Sequence, residues 1–303
     1  MDASSETFFA RASVVDRLNL AFVVALLAFA VVTWPRLPYP VATVLVYVGL
    51  VALVVGAGRL RTAPLRPRLR AGWLFLYSIA FLFAAFESLA LVMPYFQEAR
   101  YDAPFAAADA ALLGGKQPAL VLRSWLAPWS TDLLYAAYFF YFPMPLIVLF
   151  TLMAKGRWRE VEQSIFALLV CYYGAYLFYF ALPAVGPRFH LPGWSAPEGI
   201  VLAEPVRRLI DSLEPNKLDC FPSLHAAILF VTMALAKRHT PRLFLAFLPP
   251  AVLITISLVA LGFHWVVDVA AGFLWAPAAI WLSGRLFARL EKTSRPHFGT
   301  VAA

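Results

Sequence analysis

Phe221-Pro222-Ser223-Leu224-His225 opens one apolar segment of this 303-residue chain, and His264-Trp265-Val266-Val267-Asp268 opens another. The two histidines lie 39 positions apart. A helix needs about 20 residues to cross the hydrocarbon core of a bilayer, so this interval matches one passage across and one back. Both imidazoles then return to the same membrane face. Composition supports the premise: 62% of residues are hydrophobic, 14% are charged, and mean hydropathy is +0.75. Soluble domains are about 45–50% apolar and about 25% charged. The expected class is therefore all-α, a polytopic membrane helix bundle.

Eight apolar stretches read as spans, near 18–34, 39–57, 72–94, 132–154, 163–183, 222–236, 243–261 and 263–284. The sixth is short, which would recess its first residues below the surface. The first is followed at once by another span and reads as a signal anchor rather than a cleaved leader. Basic residues settle the expected orientation. With the N-terminus inside, the cytoplasmic segments collect most of the 25 Lys and Arg residues, among them Arg11, Arg17, Arg59, Arg66, Arg157, Lys237, Arg285 and Arg295. Both termini are then cytoplasmic, and Ser223, His225 and His264 face outward. High alanine and arginine content with short loops points to a bacterial inner membrane. The net charge of +8 is thus used for orientation, and nucleic acid is excluded as a partner.

Residues 1–303 read as one integral membrane domain. Within it, 1–130 hold the N-terminal spans and an outer interfacial segment, and 131–290 hold the site. Tyr95–Thr131, punctuated by Pro104, Pro118 and Pro128, reads as surface-lying helices. The first dozen residues and the tail after Glu291 are expected to be loosely held. Cys171 and Cys220 are expected to be free thiols.

His264 and Asp268 are four apart, one helical turn, so the carboxylate can accept the Nδ1 proton and leave Nε2 as nucleophile or base. Taken alone, the pair equally suits a polar plug between helices. Pro222 suits a first helical turn, whose free amides make an anion site to which Ser223 adds a hydroxyl. His225, slightly deeper, can protonate a leaving group. Alone, these two residues also describe an ordinary capped helix start. Arg188, closing the fifth span in Leu182-Pro183-Ala184-Val185-Gly186-Pro187-Arg188, offers a fork of donors to phosphate oxygens, or a plain interfacial anchor. Ionisable groups at membrane depth are costly, and four of them together with Ser223, from three spans, map to one face. Their convergence favours phosphoryl transfer on a lipid phosphate substrate among membrane lipids.

Pro-Ser-Leu-His followed by Gly-x-His-x-x-x-Asp resembles the type 2 phosphatidic acid phosphatase superfamily. Phe221-Pro-Ser-Leu-His-Ala-Ala227 and Gly262-Phe-His-Trp-Val-Val-Asp268 look most like the branch containing inositol phosphorylceramide synthases. The resemblance covers about residues 130–290 and implies a six-helix-type phosphatase core preceded by N-terminal helices. It implies that His264 forms a phosphohistidine, Asp268 orients it, His225 protonates the leaving oxygen and Ser223 holds the phosphate, with no metal and no cofactor. The superfamily motif K-x-x-x-x-x-x-R-P is absent upstream of Ser223, and no arginine occurs in Ser257–Gly262. Arg188 is the candidate replacement, with Lys217 and Arg207 or Arg208 as further cations.

Glu87, mid-way through the third span, is expected to pack against Tyr77 or a neighbouring hydroxyl. Asp132 is expected to cap the fourth span, with the site as its alternative. Tyr135, Tyr138, Tyr172, Tyr173 and Tyr179 either line a lipid groove or pack helices. Two other functions compete: a metal hydrolase with His225, His264 and Asp268 as ligands, and a transporter or scaffold without catalysis. Between water and an alcohol as acceptor, the branch resemblance tilts toward transfer, in the manner of an inositol-sphingolipid synthase.

Overall fold

The computed structural model describes residues 12–61, 66–213 and 216–292. Arg11, Arg295 and the tail that the sequence marks as loose lie outside these residues. Each of the eight apolar stretches is helical. They form α1 (Val14–Val32), α2 (Pro40–Arg61), α3 (Pro67–Leu89), the pair α7 (Pro128–Phe140) and α8 (Pro143–Ala154), α9 (Trp158–Ala181), α12 (Leu224–His239), α13 (Pro241–Ala260) and α14 (Val266–Glu291). Between them lie shorter helices: α4 (Met93–Phe96), α5 (Asp102–Leu112), α6 (Pro118–Ser124), α10 (Pro187–His190) and α11 (Ala203–Leu213). Among the described residues the only extended pairing is an isolated bridge between Ala184 and Asp219. The protein is an all-helical membrane bundle.

Among the described residues six helices are long and apolar enough to span a membrane, or seven if α7 with α8, bent by 43° at their junction, is counted as one span. The sixth expected span, α12, has 16 residues. At 1.5 Å per residue it is about 24 Å long, short of a hydrocarbon core of about 30 Å.

The chain divides into two compact units. The first comprises Met1–Phe96, Leu149–Val170 and Ala279–Ala303. Its α1 begins at a capping box in which Ser13 Oγ accepts the Asp16 N–H at 3.1 Å and Asp16 Oδ2 accepts the Ser13 N–H at 2.9 Å. The three N-terminal helices are joined by polar contacts inside apolar surroundings: Asn19 Nδ2 donates to the Tyr77 hydroxyl at 3.0 Å, and the Tyr47 hydroxyl donates to the Ser88 carbonyl at 3.0 Å. The Tyr77 hydroxyl is thus engaged by Asn19, while Glu87 is exposed.

The second unit comprises Gln97–Val148 and Cys171–Ala278. Its core gathers Leu134, Tyr135 and Tyr138 of α7, Ala226 of α12, Leu258 of α13 and Phe263 of the following turn. Tyr138 stacks on Phe263 with centroids 4.2 Å apart, an aromatic contact worth about 0.5–1.5 kcal/mol beyond the area it buries. Two glycines shape this unit. Gly262 turns the chain between α13 and α14 at φ +75, where a side chain would be strained. Gly272 of α14 lets the start of α12 lie against it, since a Cβ there would stand 2.3 Å from the Ser223 carbonyl oxygen. Cys171 and Cys220 are both buried free thiols, as expected.

Candidate active site

Ser223 is the N-cap of α12, and its Oγ accepts the Ala226 N–H at 3.3 Å. Pro222 therefore precedes the cap rather than occupying the first helical turn. The Ser223 N–H donates to the Asp268 carbonyl at 3.0 Å, which ties the start of α12 to the start of α14. His225 stands in the first turn of α12. His264 lies in the five-residue link between α13 and α14, its own N–H held by the Leu258 carbonyl at 2.9 Å.

These constraints bring the two imidazoles together. His225 Nδ1 is 3.1 Å from His264 Nε2. On the far side of its ring, His264 Nδ1 is 3.1 Å from the Cys220 carbonyl oxygen. A carbonyl only accepts, so Nδ1 carries the hydrogen and Nε2 of the neutral ring presents its lone pair. His225 Nδ1 then donates to that lone pair. The opposite nitrogen of His225, Nε2, is 2.8 Å from the Tyr138 hydroxyl. His264 is buried and His225 half-buried.

Asp268 takes a different place from the one its spacing suggests. Its Oδ2 accepts the Trp265 N–H at 2.8 Å and the Cys220 thiol at 2.7 Å, and lies 3.7 Å from His264 Nδ1. That distance is too long for a hydrogen bond. The Cys220 carbonyl, not the carboxylate, holds the His264 tautomer. Burial pushes the Cys220 thiol up, as does the nearby Asp268 carboxylate, so the sulfur keeps its hydrogen.

Arg188 is the second residue of the short helix α10, with its N–H on the Gly262 carbonyl at 3.0 Å. Its guanidinium covers the Phe263 ring at 4.4 Å and the Phe189 ring at 4.6 Å, and pairs with Asp211 at 2.9 Å. Lys217 Nζ lies 5.6 Å from the Phe189 ring, so two of the expected phosphate-binding cations meet on one aromatic side chain. Arg207 and Arg208 instead pair with Glu204 on the exposed face of α11.

Asp132 reaches neither role expected of it. Its carboxylate accepts four backbone N–H groups, from Ile200, Val201, Leu202 and Ala203, at 2.8–3.0 Å, and so caps α11. Four donors outcompete the cap of its own helix, where Ser130 Oγ takes the Ala127 N–H.

The expected metal triad does not assemble either. His225 meets Nε2 of His264 and Asp268 lies beside Nδ1, so one ion cannot take all three through one atom each. Among the described residues, the group able to hold a metal is Cys220, His264 and Asp268, with ligand atoms within 4.8 Å of one another.

Sequence reasoning passed over two carboxylates of α5. Asp102 accepts the Val185 and Gly186 N–H groups at 2.8–3.1 Å and the Trp265 indole N–H at 3.2 Å. Asp109 accepts the Val266 and Val267 N–H groups at 2.8 and 3.0 Å. Burial pushes the Asp109 carboxyl up while those two amides pull it down. The acids are seven apart, two turns on one face, in an otherwise alanine-rich helix. That spacing was the available signal. Together they hold the loop before Arg188 and the start of α14.

No curated protein and no solved structure matches the chain. A family model described as the PAP2 superfamily matches residues 103–282, more than half of the sequence. The match begins inside α5 and takes in Asp109, beyond the reach of the two histidine motifs. This chain belongs to the PAP2 superfamily, a membership that supports phosphatase- or phosphotransferase-type chemistry on a lipid-like substrate.

Proposed function

We propose that the protein transfers a phosphoryl group from a lipid phosphate through a phosphohistidine on His264. The single observation that carries this reading is the 3.1 Å approach of His225 Nδ1 to His264 Nε2. A nitrogen that carries a lone pair and a proton-bearing partner directly beside it are the two groups such a displacement needs.

In the first step the substrate phosphate enters between the imidazoles. His264 Nε2 bonds to phosphorus, the bond from phosphorus to the lipid oxygen breaks, and His225 Nδ1 gives its proton to that oxygen. The Asp268 carboxylate, 3.7 Å from Nδ1, faces the positive charge that develops on the phosphorylated ring. Arg188 and Lys217 supply cations for the phosphate oxygens, and the Ser223 hydroxyl, which accepts the Ala226 N–H, retains its own hydrogen for donation. In the second step His225 takes a proton from the acceptor, the acceptor oxygen bonds to phosphorus, and the bond to His264 breaks. Water yields free phosphate. An alcohol yields its phosphate monoester.

The resemblance of 221–227 and 262–268 to inositol phosphorylceramide synthases tilts the acceptor toward a polyol and the lipid toward the sphingolipid class. The basic-residue bias supports a site at the extracytoplasmic face with both termini inside, and the alanine- and arginine-rich composition with short loops supports a bacterial inner membrane.

The test is phosphate trapping on purified detergent-solubilised protein. Radiolabelled lipid phosphate should label wild type and not His264→Ala, and the label should leave faster when inositol is added if transfer is the native reaction. Unchanged lipid-phosphate turnover by His264→Ala would end the proposal. Release by water alone, unaffected by inositol, would assign a phosphatase.

A further inference from the structure

We infer that Tyr138 is a positioning residue for the acid–base step, confining proton exchange at His225 to its Nδ1 atom. The inference rests on the reaction proposed above and adds a residue that neither histidine motif contains.

The Tyr138 hydroxyl sits 2.8 Å from His225 Nε2, the nitrogen that faces away from His264. Its ring is fully buried, stacked on Phe263 at 4.2 Å and tilted against the His225 ring at 4.9 Å. Tyr141 packs against the same imidazole at 4.7 Å, so His225 is gripped by aromatic neighbours from α7 and its continuation. A hydroxyl both donates and accepts. When His225 is neutral with hydrogen on Nδ1, Tyr138 donates to Nε2. When His225 is an imidazolium, its Nε2–H donates to the Tyr138 oxygen. In either state Nε2 is engaged, and Nδ1 is the atom turned toward the reaction.

The proton balance follows. An imidazolium His225 passes its Nδ1 hydrogen to the leaving lipid oxygen and becomes neutral, with hydrogen on Nε2 bound to Tyr138. Its Nδ1 lone pair then accepts the proton of the incoming water or alcohol, restoring the imidazolium. Tyr138 neither gains nor loses a proton over the cycle. Its contribution is to keep Nε2 engaged in either state, so that Nδ1 is the atom that exchanges the proton.

The experiment compares leaving groups in Tyr138→Phe, which keeps the stacked ring and removes only the hydroxyl. An alkyl lipid phosphate needs the acid, whereas p-nitrophenyl phosphate, with its stable phenolate, does not. General acid–base catalysis contributes 10²–10⁴-fold, so losing its alignment should lower kcat on the lipid about tenfold with little change in KM, and on p-nitrophenyl phosphate about twofold or less. Adding Tyr138→Phe to His225→Ala should cost nothing further on the lipid, because the hydroxyl acts through that ring. Equal losses on both substrates, or an additive loss in the His225→Ala background, would overturn the inference while leaving the His264 reaction standing. Turnover that survives His264→Ala would remove both. Should Tyr138→Phe fail to fold, Tyr138→3-fluorotyrosine keeps shape and hydroxyl but makes the hydroxyl more acidic. An acid limb of kcat on the lipid that does not move in that variant would equally overturn the inference.

Discussion

Asp268 lies four residues after His264, yet its Oδ2 is 3.7 Å from the imidazole Nδ1 and is engaged by the Trp265 N–H and the Cys220 thiol. The carboxylate therefore builds the first turn of α14 and faces the imidazole as a charge. Asp268→Asn, which keeps an acceptor oxygen for Trp265, should retain the fold and lower kcat about 10–100-fold through the lost charge at the phosphorylated ring. Asp268→Ala should additionally lower the melting temperature. Thermal unfolding in detergent alongside lipid-phosphate kinetics separates the two effects, and an Asn variant with wild-type kcat would refute the electrostatic role.

Asp109 touches none of the reacting groups proposed here, but it satisfies the Val266 and Val267 amides two and three residues beyond His264. Asp109→Ala leaves buried amides without their acceptor, which costs about 1–3 kcal/mol. The expected result is a lower melting temperature and a reduced kcat with KM nearly unchanged. Wild-type stability in this variant would show that α5 does not hold the start of α14.

Two glycines of α14 make a matched comparison. Gly272→Ala places a Cβ 2.3 Å from the Ser223 carbonyl oxygen, so α12 must move. Overpacking of this kind costs about 1–3 kcal/mol, and activity should fall with stability. At Gly284 nothing lies within 4 Å, and Ala should stabilise the helix by about 0.5–1 kcal/mol without affecting turnover. Equal behaviour of the two variants would contradict the close approach of Ser223.

Arg188 is paired with Asp211 at 2.9 Å while its guanidinium covers Phe263. In the proposed reaction a substrate phosphate would compete with that carboxylate. Asp211→Asn should lower KM for a lipid phosphate several-fold, and Arg188→Ala should raise it, the pairing of an exposed carboxylate being worth about 0.2–1 kcal/mol. A KM that is insensitive to Arg188→Ala would remove this guanidinium from phosphate binding.

Much of the site was legible before the fold. Eight apolar stretches became helices because hydropathy and length decide a membrane helix locally. The pairing of His225 with His264 followed from the 39-residue interval, which is set by the length of two helices and a tight turn. The groups that hold those histidines and the segments around them were another matter. Cys220, Tyr138, Asp102 and Asp109 come from α5, α7 and a loop, and nothing along the chain tells a buried tyrosine that packs from one that meets an imidazole. Asp132 showed the reverse error: its position suggested a local cap, and four amides some seventy residues away claimed it.

What the sequence by itself determined is the helical membrane class and which two imidazoles share a face, because both depend on residue count and hydropathy. Only the tertiary structure decided which nitrogen of each ring meets which partner, and that Asp268 stands aside from His264. Hydrogen bonds act over about 3 Å and in one direction, so their assignment waits on the packing of helices that are distant in the chain.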